Sequence, residues 1–442
     1  MVTAPIRNSG TLCPNDVCLK MLWACYCYSR CFGIVYYSFE RRKIANSNAT
    51  ASHCEHRQSL FLPSTPKIYH TKFRDNIPLI AYETKWMAWL NIISRIICCS
   101  LFFYGALKMW KLDDYFYIYV MIQVFFLTAC PLVEALTNFR NRREFVSAIN
   151  ELLKLMRELE ELQPNYKLFC WTHVALLGLK LSSFAYELAC IVQEIHFTLD
   201  NGDFYSISLL ILEMYLMVAV WLSLHLISIL YICSDALFGA LNHYMRHNFI
   251  PRIKAVETHI ICLSSPSYVN GLYIDLSVFS DFMIRVQRNA LDLHNLCQLL
   301  VVTTILFIYW GTICVIYYMV WQYYEVNLIH SRYIFFILKL LFDIGLLSLT
   351  GHRVIRASQL VRCMGLENAA MTDDKKWNRE IELFLHRLSL NEFKLNIFGM
   401  FDVSNALTLA FISGILTSVS IFVPFSIKTY RIQQFLENRS SM

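Results

Sequence analysis

Charge is scarce in this chain. Only 16% of its 442 residues are Asp, Glu, Lys or Arg, against about a quarter in soluble domains, which argues against a soluble protein. Glycine and proline are scarce as well, 13 and 10 residues, and no run of about ten residues alternates strongly between apolar and polar. A transmembrane β-barrel, whose strands need many turns, is thereby excluded. Catalytic signatures are missing: there is no HExxH, GxGxxG, P-loop or GxSxG, and Cys54, Glu55 and His56 are adjacent neighbours rather than a spaced triad. No enzymatic activity, no cofactor and no nucleic-acid partner is expected. Cys13, Cys18, Cys25, Cys27, Cys31 and Cys54 crowd the N-terminus without a Cys-x-x-Cys pair or a following paired histidine, so no metal centre is expected. The 16 cysteines lie mostly in apolar segments and read as small apolar residues rather than as a disulfide framework.

Hydrophobic residues are abundant instead, at 56%, and the mean hydropathy is +0.43. Seven apolar segments are long enough for a helix to cross about 30 Å of hydrocarbon: 86–107, 115–137, 168–192, 205–232, 296–323, 333–352 and 403–425. The expected fold is an all-α membrane protein with seven transmembrane helices. An eighth segment, 21–37, is short and carries Arg30, so an interfacial amphipathic helix is favoured over a further span. Of the 39 Lys and Arg, 30 fall before the first span or in alternate connections on that same side, 6 on the other side, and Arg95, Lys180 and Lys339 within spans. The positive-inside rule therefore predicts a cytosolic N-terminus and, after seven crossings, an outer C-terminus.

The cytosolic connections are long and helically periodic. Val286, Ala290, Leu293, Cys297 and Leu300 form one stripe leading into the fifth span, and Ile381, Phe384, Leu385, Leu388 and Leu390 another before the last. Packed together they predict a cytosolic bundle, a natural place for subunits to associate, although a monomer packing only on itself fits equally. The division expected is a cytosolic N-terminal region at 1–85 with disorder at Ala45–Pro66, helices 1–6 at 86–352, cytosolic anchor helices at 353–402, a seventh helix at 403–425 and an outer tail at 426–442. Within that seventh helix Asn405, Ser413, Thr417 and Ser420 share a face, while Leu407, Phe411, Leu416 and Phe422 turn elsewhere. An uncharged polar stripe suits a cation conduit; hydroxyls that bond back to their own helix, or to neighbours, are the alternative.

The stretch Glu382, Leu383, Phe384, then Asn396 to Asp402 with Gly399, and the fragment Tyr28 to Gly33 resemble the corresponding regions of insect gustatory receptors. The family's signature in the final span, Thr-Tyr, five hydrophobic residues and Gln-Phe, is matched at Thr417 and Phe425, with Ser418 in place of Tyr and Pro424 in place of Gln. The resemblance implies a ligand-gated, nonselective cation channel in the plasma membrane of a sensory neuron, opened by a small-molecule tastant and built from four subunits, identical or related, around one central pore. It implies that the last helix lines the pore with Asn405, Ser413, Thr417 and Ser420, and that Pro424 and Phe425 stand at the gate. Ligand recognition is then expected in the outer halves of the other spans, at Lys180, Tyr186, Glu187, Glu213, Trp310, Tyr317 and Trp321, since ionisable groups at that depth face a bundle interior or a cavity. Lys339 and Asp343, four apart, are expected to neutralise each other within one helix. A G-protein-coupled receptor, which predicts an outer N-terminus and an outer disulfide, and a secondary transporter, which predicts inverted repeats and glycine-broken helices, are the competing readings.

Overall fold

The computed structural model describes residues 13–31, 35, 37–41, 79–109, 116–201, 204–252, 266–326, 331–360, 375–390 and 393–440. Its elements are α1 (Pro14–Cys31), β1 (Tyr37–Arg41), β2 (Leu79–Glu83), α2 (Lys85–Met109), α3 (Phe116–Leu162), α4 (Trp171–Asn201), α5 (Phe204–Tyr244, running on through a π-helical turn at Met245–Phe249), α6 (Pro266–Val326), α7 (Ser331–Leu360), α8 (Lys375–Leu390), β3 (Asn396–Ile397), β4 (Phe401–Asp402) and α9 (Asn405–Ser440). Among them α2 to α7 and α9 are long and apolar enough to cross a membrane.

The spans continue well beyond the bilayer as single helices. α3 runs on to Leu162 and α6 begins at Pro266, some thirty residues before its expected apolar core at about 296. The stripe Val286, Ala290, Leu293, Cys297 and Leu300 is buried throughout, and Arg285 reaches across to Glu151 and Glu158 of α3 at 2.6 and 2.7 Å. On α8, Ile381 and Phe384 are buried, with the Phe384 ring 6.1 Å from Phe279 of α6. Burial is uneven among the spans. In its most apolar window α5 is 89% buried and α9 only 17%. α5 is the central column, touching α1 to α4, α6 and α7, whereas α9 lies against α6 and α7.

The N-terminal segment departs from expectation. The helix is Pro14–Cys31 rather than 21–37, and Tyr37 already opens β1. Asn15 accepts a hydrogen bond from the Phe169 amide at 3.4 Å, and the Tyr28 ring stacks on Phe184 at 4.6 Å. α1 therefore runs beside α4 in the same direction for about 20 Å. The Tyr26 hydroxyl then donates to the Tyr37 carbonyl at 3.2 Å and its ring meets Phe39 at 4.8 Å, so β1 doubles back along the helix. Cys18, Cys25 and Ser29 of this helix are buried, while Leu19 and Trp23 are exposed. β1 pairs antiparallel with β2. Asn150 of α3 seals the other edge of β2, accepting from the Ala81 amide at 2.8 Å and donating to its carbonyl at 3.0 Å. The stretch Ala45–Pro66 lies outside the described residues.

The entry to α9 is held tightly. Phe398 and Gly399 both have positive φ, 48° and 74°, at the centre of a turn closed by the Met400 amide on the Ile397 carbonyl at 2.9 Å, within the three-residue connection from β3 to β4. The Asn396 carbonyl accepts from His294 Nε2 at 3.0 Å and from Gln298 at 3.2 Å, and His294 Nδ1 meets the Tyr231 hydroxyl at 2.8 Å. Gly351 of α7 is required here, because a Cβ on it would sit 2.7 Å from the Val403 carbonyl oxygen. Pro424 interrupts α9 without ending it. The helix continues to Ser440, so the outer tail expected at 426–442 is helical through that residue: a proline removes one hydrogen bond, and the residues after it include no further Pro or Gly.

Candidate functional site

Four charged side chains meet between α4 and α7. The two helices run in opposite directions, so Lys180 and Glu187, seven apart on α4, face Asp343 and Lys339, four apart on α7. Lys180 Nζ lies 3.1 Å from Asp343 Oδ1, Ser183 Oγ donates to the same oxygen at 2.9 Å, and Lys339 Nζ lies 2.9 Å from Asp343 Oδ2. Lys339 also pairs with Glu187, whose other oxygen is 3.5 Å from His225 Nε2 of α5. The Lys339 ammonium sits 4.1 Å above the Trp221 ring. All of these ionic side chains are at most 5% exposed. Two cations opposite two anions leave the cluster neutral, which is what permits it at lipid depth. Lys339 and Asp343 do pair within one helix, but each is shared with α4, so the expected self-neutralisation is one edge of a four-charge network.

A narrow apolar cleft lies on the neighbouring side of α7. α3 contributes Gln123 and Phe126, α5 Met217, α6 Trp310, and α7 Phe336 and Leu340. Gln123 brings the one side-chain amide to the lining, and the Trp310 ring stacks on Phe126 with centroids 6.0 Å apart. Phe336 joins the cleft to the charges, for its ring lies 6.2 Å from Trp221, the ring that carries Lys339.

The expected recognition residues thus separate. Trp310 lines the cleft. Lys180 and Glu187 are buried in the charge network behind it. Tyr186 is turned about a quarter of a helical turn from Glu187 and is 38% exposed, away from both. Glu213 is half-buried on α5 and Tyr317 is buried on α6, neither in the cleft wall. The Trp321 side chain lies outside the described residues. Gln123, Phe126, Met217, Phe336 and Leu340 escaped sequence reasoning. The i, i+4 pair Phe336 and Leu340 and a lone amide in an apolar run are the signals they offer, and core residues of any helix offer the same.

On α9, Leu407, Phe411 and Ile415 are buried against α6 and α7. The Tyr309 hydroxyl of α6 donates to the Gly414 carbonyl at 3.2 Å and meets Ser418 Oγ at 2.5 Å. A small side chain at 418 leaves room for that ring. Asn405, Ser413, Thr417, Ser420 and Pro424 are all exposed on the opposite face. Leu416, expected to turn elsewhere, is exposed beside them at 62%, because i−3 and i+4 neighbours of the stripe share its face. Thr417 Oγ1 donates to the Ser413 carbonyl at 2.9 Å and Ser420 Oγ to that of Leu416 at 2.7 Å, leaving the lone pairs of each hydroxyl outward. The Phe425 side chain lies outside the described residues.

Residues 65–429 match the family described as 7tm chemosensory receptor. The chain belongs to this family. Among its curated relatives in Drosophila melanogaster, the proteins named gustatory receptor 93b and 92a are 22% and 24% identical, over 81% and 82% of this receptor and 89% and 90% of their own lengths. A third, named gustatory receptor for bitter taste 93a, is 21% identical over 72% of this receptor and 77% of itself. The solved structure of the insect olfactory receptor OR5 from Machilis hrabei superposes with a TM-score of 0.53 at 11% identity, covering 84% of this receptor and 99% of that chain. The fold is shared. This receptor is a multi-pass protein of the plasma membrane, in a family of receptors and channels rather than enzymes, and the G-protein-coupled and transporter readings are not favoured.

Proposed function

We propose that this receptor is a subunit of a ligand-gated, nonselective cation channel that detects a small tastant and depolarises a sensory neuron. In this reading four copies, or copies of relatives, assemble with their α9 helices around one pore. The observation that carries it is the asymmetry of α9. One face is held by α6 and α7, while the opposite face presents Asn405, Ser413, Thr417 and Ser420, exposed among the described residues. Thr417 and Ser420 bond back to their own helix yet keep acceptor lone pairs outward, which with Asn405 and Ser413 suits a hydrated path. Pro424 and Phe425 then stand at the outer mouth as the gate, with the N-terminus in the cytosol and the C-terminus outside.

The tastant enters the cleft lined by Trp310 and Gln123. A sugar would need a hydrogen-bonding partner for each hydroxyl it buries, and one amide and one indole N–H do not supply them. The cleft suits a small, largely apolar organic molecule, which agrees with the bitter-taste name of one relative. Lys180 and Glu187 support the wall from behind.

Cysteine accessibility tests the central claim. Ser413→Cys, Thr417→Cys and Ser420→Cys receptors, expressed alone in cells, should lose current on exposure to a water-soluble thiosulfonate, whereas Leu407→Cys and Phe411→Cys should not. Protection of all three stripe positions, in channels that still open, would place this face in lipid. A tag after Met442 should be stained on intact cells and one at Met1 only after permeabilisation.

A further inference from the structure

At the start of α4, well away from the cleft, three side chains form a relay. Cys170 precedes the first helical residue, and its carbonyl accepts from the His173 and Val174 amides at 3.1 and 3.2 Å. Its thiol is exposed, 3.2 Å from His173 Nδ1. The Cys170 amide donates to that same nitrogen at 3.1 Å, so Nδ1 carries a lone pair and the ring proton is on Nε2. His173 Nε2 lies 3.2 Å from Asp235 Oδ2 of α5, which also accepts from Arg353 Nε of α7 at 2.9 Å. The His173 and Asp235 side chains are only 6% and 8% exposed. Thr172 Oγ1 lies 2.8 Å from the sulfur while accepting from Arg353 at 3.5 Å, which leaves its own proton to point at the sulfur. Of the titratable groups facing the thiol, burial pushes the Cys18 thiol up to about 12 and raises the Tyr166 phenol.

A nucleophile touching a base whose tautomer is set by a buried carboxylate is the arrangement that activates a thiol. The Thr172 hydroxyl, 2.8 Å away, completes the polar surroundings of the sulfur. We propose that Cys170 is a covalent attachment site for small electrophiles, specifically α,β-unsaturated carbonyl compounds, with His173 as its base and Asp235 as the residue that positions it. The thiol proton passes to the lone pair of His173 Nδ1, which gives up the hydrogen bond it accepts from the Cys170 amide. The sulfur pair forms a bond to the β-carbon, the carbon–carbon π pair moves onto the carbonyl as an enolate, and the α-carbon takes the proton back. The product is a thioether, with no oxidant or reductant involved, and the chemistry is the same whether or not the receptor conducts.

The test uses the full-length receptor in membranes with N-ethylmaleimide, a membrane-permeant acceptor of this class, and follows each cysteine by mass spectrometry over time. A positioned base contributes a hundredfold or more in favourable cases, so Cys170 should react at least about tenfold faster than N-acetylcysteine in the same buffer at pH 7. The His173→Gln and Asp235→Asn receptors should fall back towards that reference. Cys170 reacting no faster than N-acetylcysteine overturns the proposal and needs no variant. So does an unchanged rate in His173→Gln receptors that reach the surface normally. Should that variant not fold, Thr172→Val, which removes only the hydroxyl, is expected to slow Cys170 severalfold, and an unchanged rate there counts against the proposal equally.

Discussion

Neutralising one member of the charge network should expose what holds α4 to α7. Asp343 receives Lys180, Lys339 and the Ser183 hydroxyl within 2.9 to 3.1 Å, in a side chain 1% exposed. Asp343→Asn keeps the shape but leaves Lys180 and Lys339 facing only Glu187, so one buried cation has no counter-ion. Removing one partner of a buried pair costs about 3–5 kcal/mol, or about two to three and a half powers of ten in the folded equilibrium. A loss of that size should lower the surface abundance of tagged receptor by at least about tenfold, since chaperones and proteases act on the unfolded fraction. Adding Lys180→Met removes the stranded cation, and replacing a buried pair by apolar groups of similar volume is often neutral. The double variant should therefore regain most of the lost abundance. Surface biotinylation of wild type, both single variants and the double shows whether the two positions are coupled. The reasoning fails if Asp343→Asn reaches wild-type abundance, or if the double variant is as poor as the worse single.

Three further expectations follow from the cleft, the last helix and its anchor. Trp310→Ala and Gln123→Ala should shift the concentration dependence of an activating ligand by about tenfold or more while surface abundance stays within about twofold, because each removes part of the cleft wall; equal loss of both, measured by current and biotinylation, would make them merely structural. Phe425→Ser should raise current without ligand by weakening an apolar constriction, and Thr417→Phe should lower single-channel conductance; patch recordings with both parameters unchanged at normal surface levels would remove α9 from the pore. Gly351→Val should cost about 1–3 kcal/mol through its clash with the Val403 backbone and lower thermal stability in detergent, whereas Gly345→Ala, where nothing lies within 4 Å of the added carbon, should be nearly silent.

Hydropathy and run length alone determined that the chain is helical and crosses a membrane seven times, because the lipid core demands about twenty apolar residues per crossing and satisfied backbone groups throughout. The same one-dimensional signals exposed the stripes of α6 and α8, and the polar face of α9 that is exposed among the described residues, since period 3.6 is a local property. Partners across helices are not local. Lys339 and Asp343 look self-sufficient at i, i+4, and only the antiparallel passage of α4 past α7 sets Lys180 against one and Glu187 against the other. Tyr186 and Glu187 are adjacent in the chain yet end on different sides of α4, one 38% exposed and the other 2%. The cleft is more dependent still on tertiary packing, for Gln123, Met217, Trp310 and Phe336 come from four helices, and of these the sequence singled out Trp310 alone. Nor does anything along the chain connect Cys170 with Asp235, 65 positions away. A charge or an aromatic ring acquires its role from what opposes it, and in a bundle of seven spans that is decided by which helices become neighbours and how each is rotated.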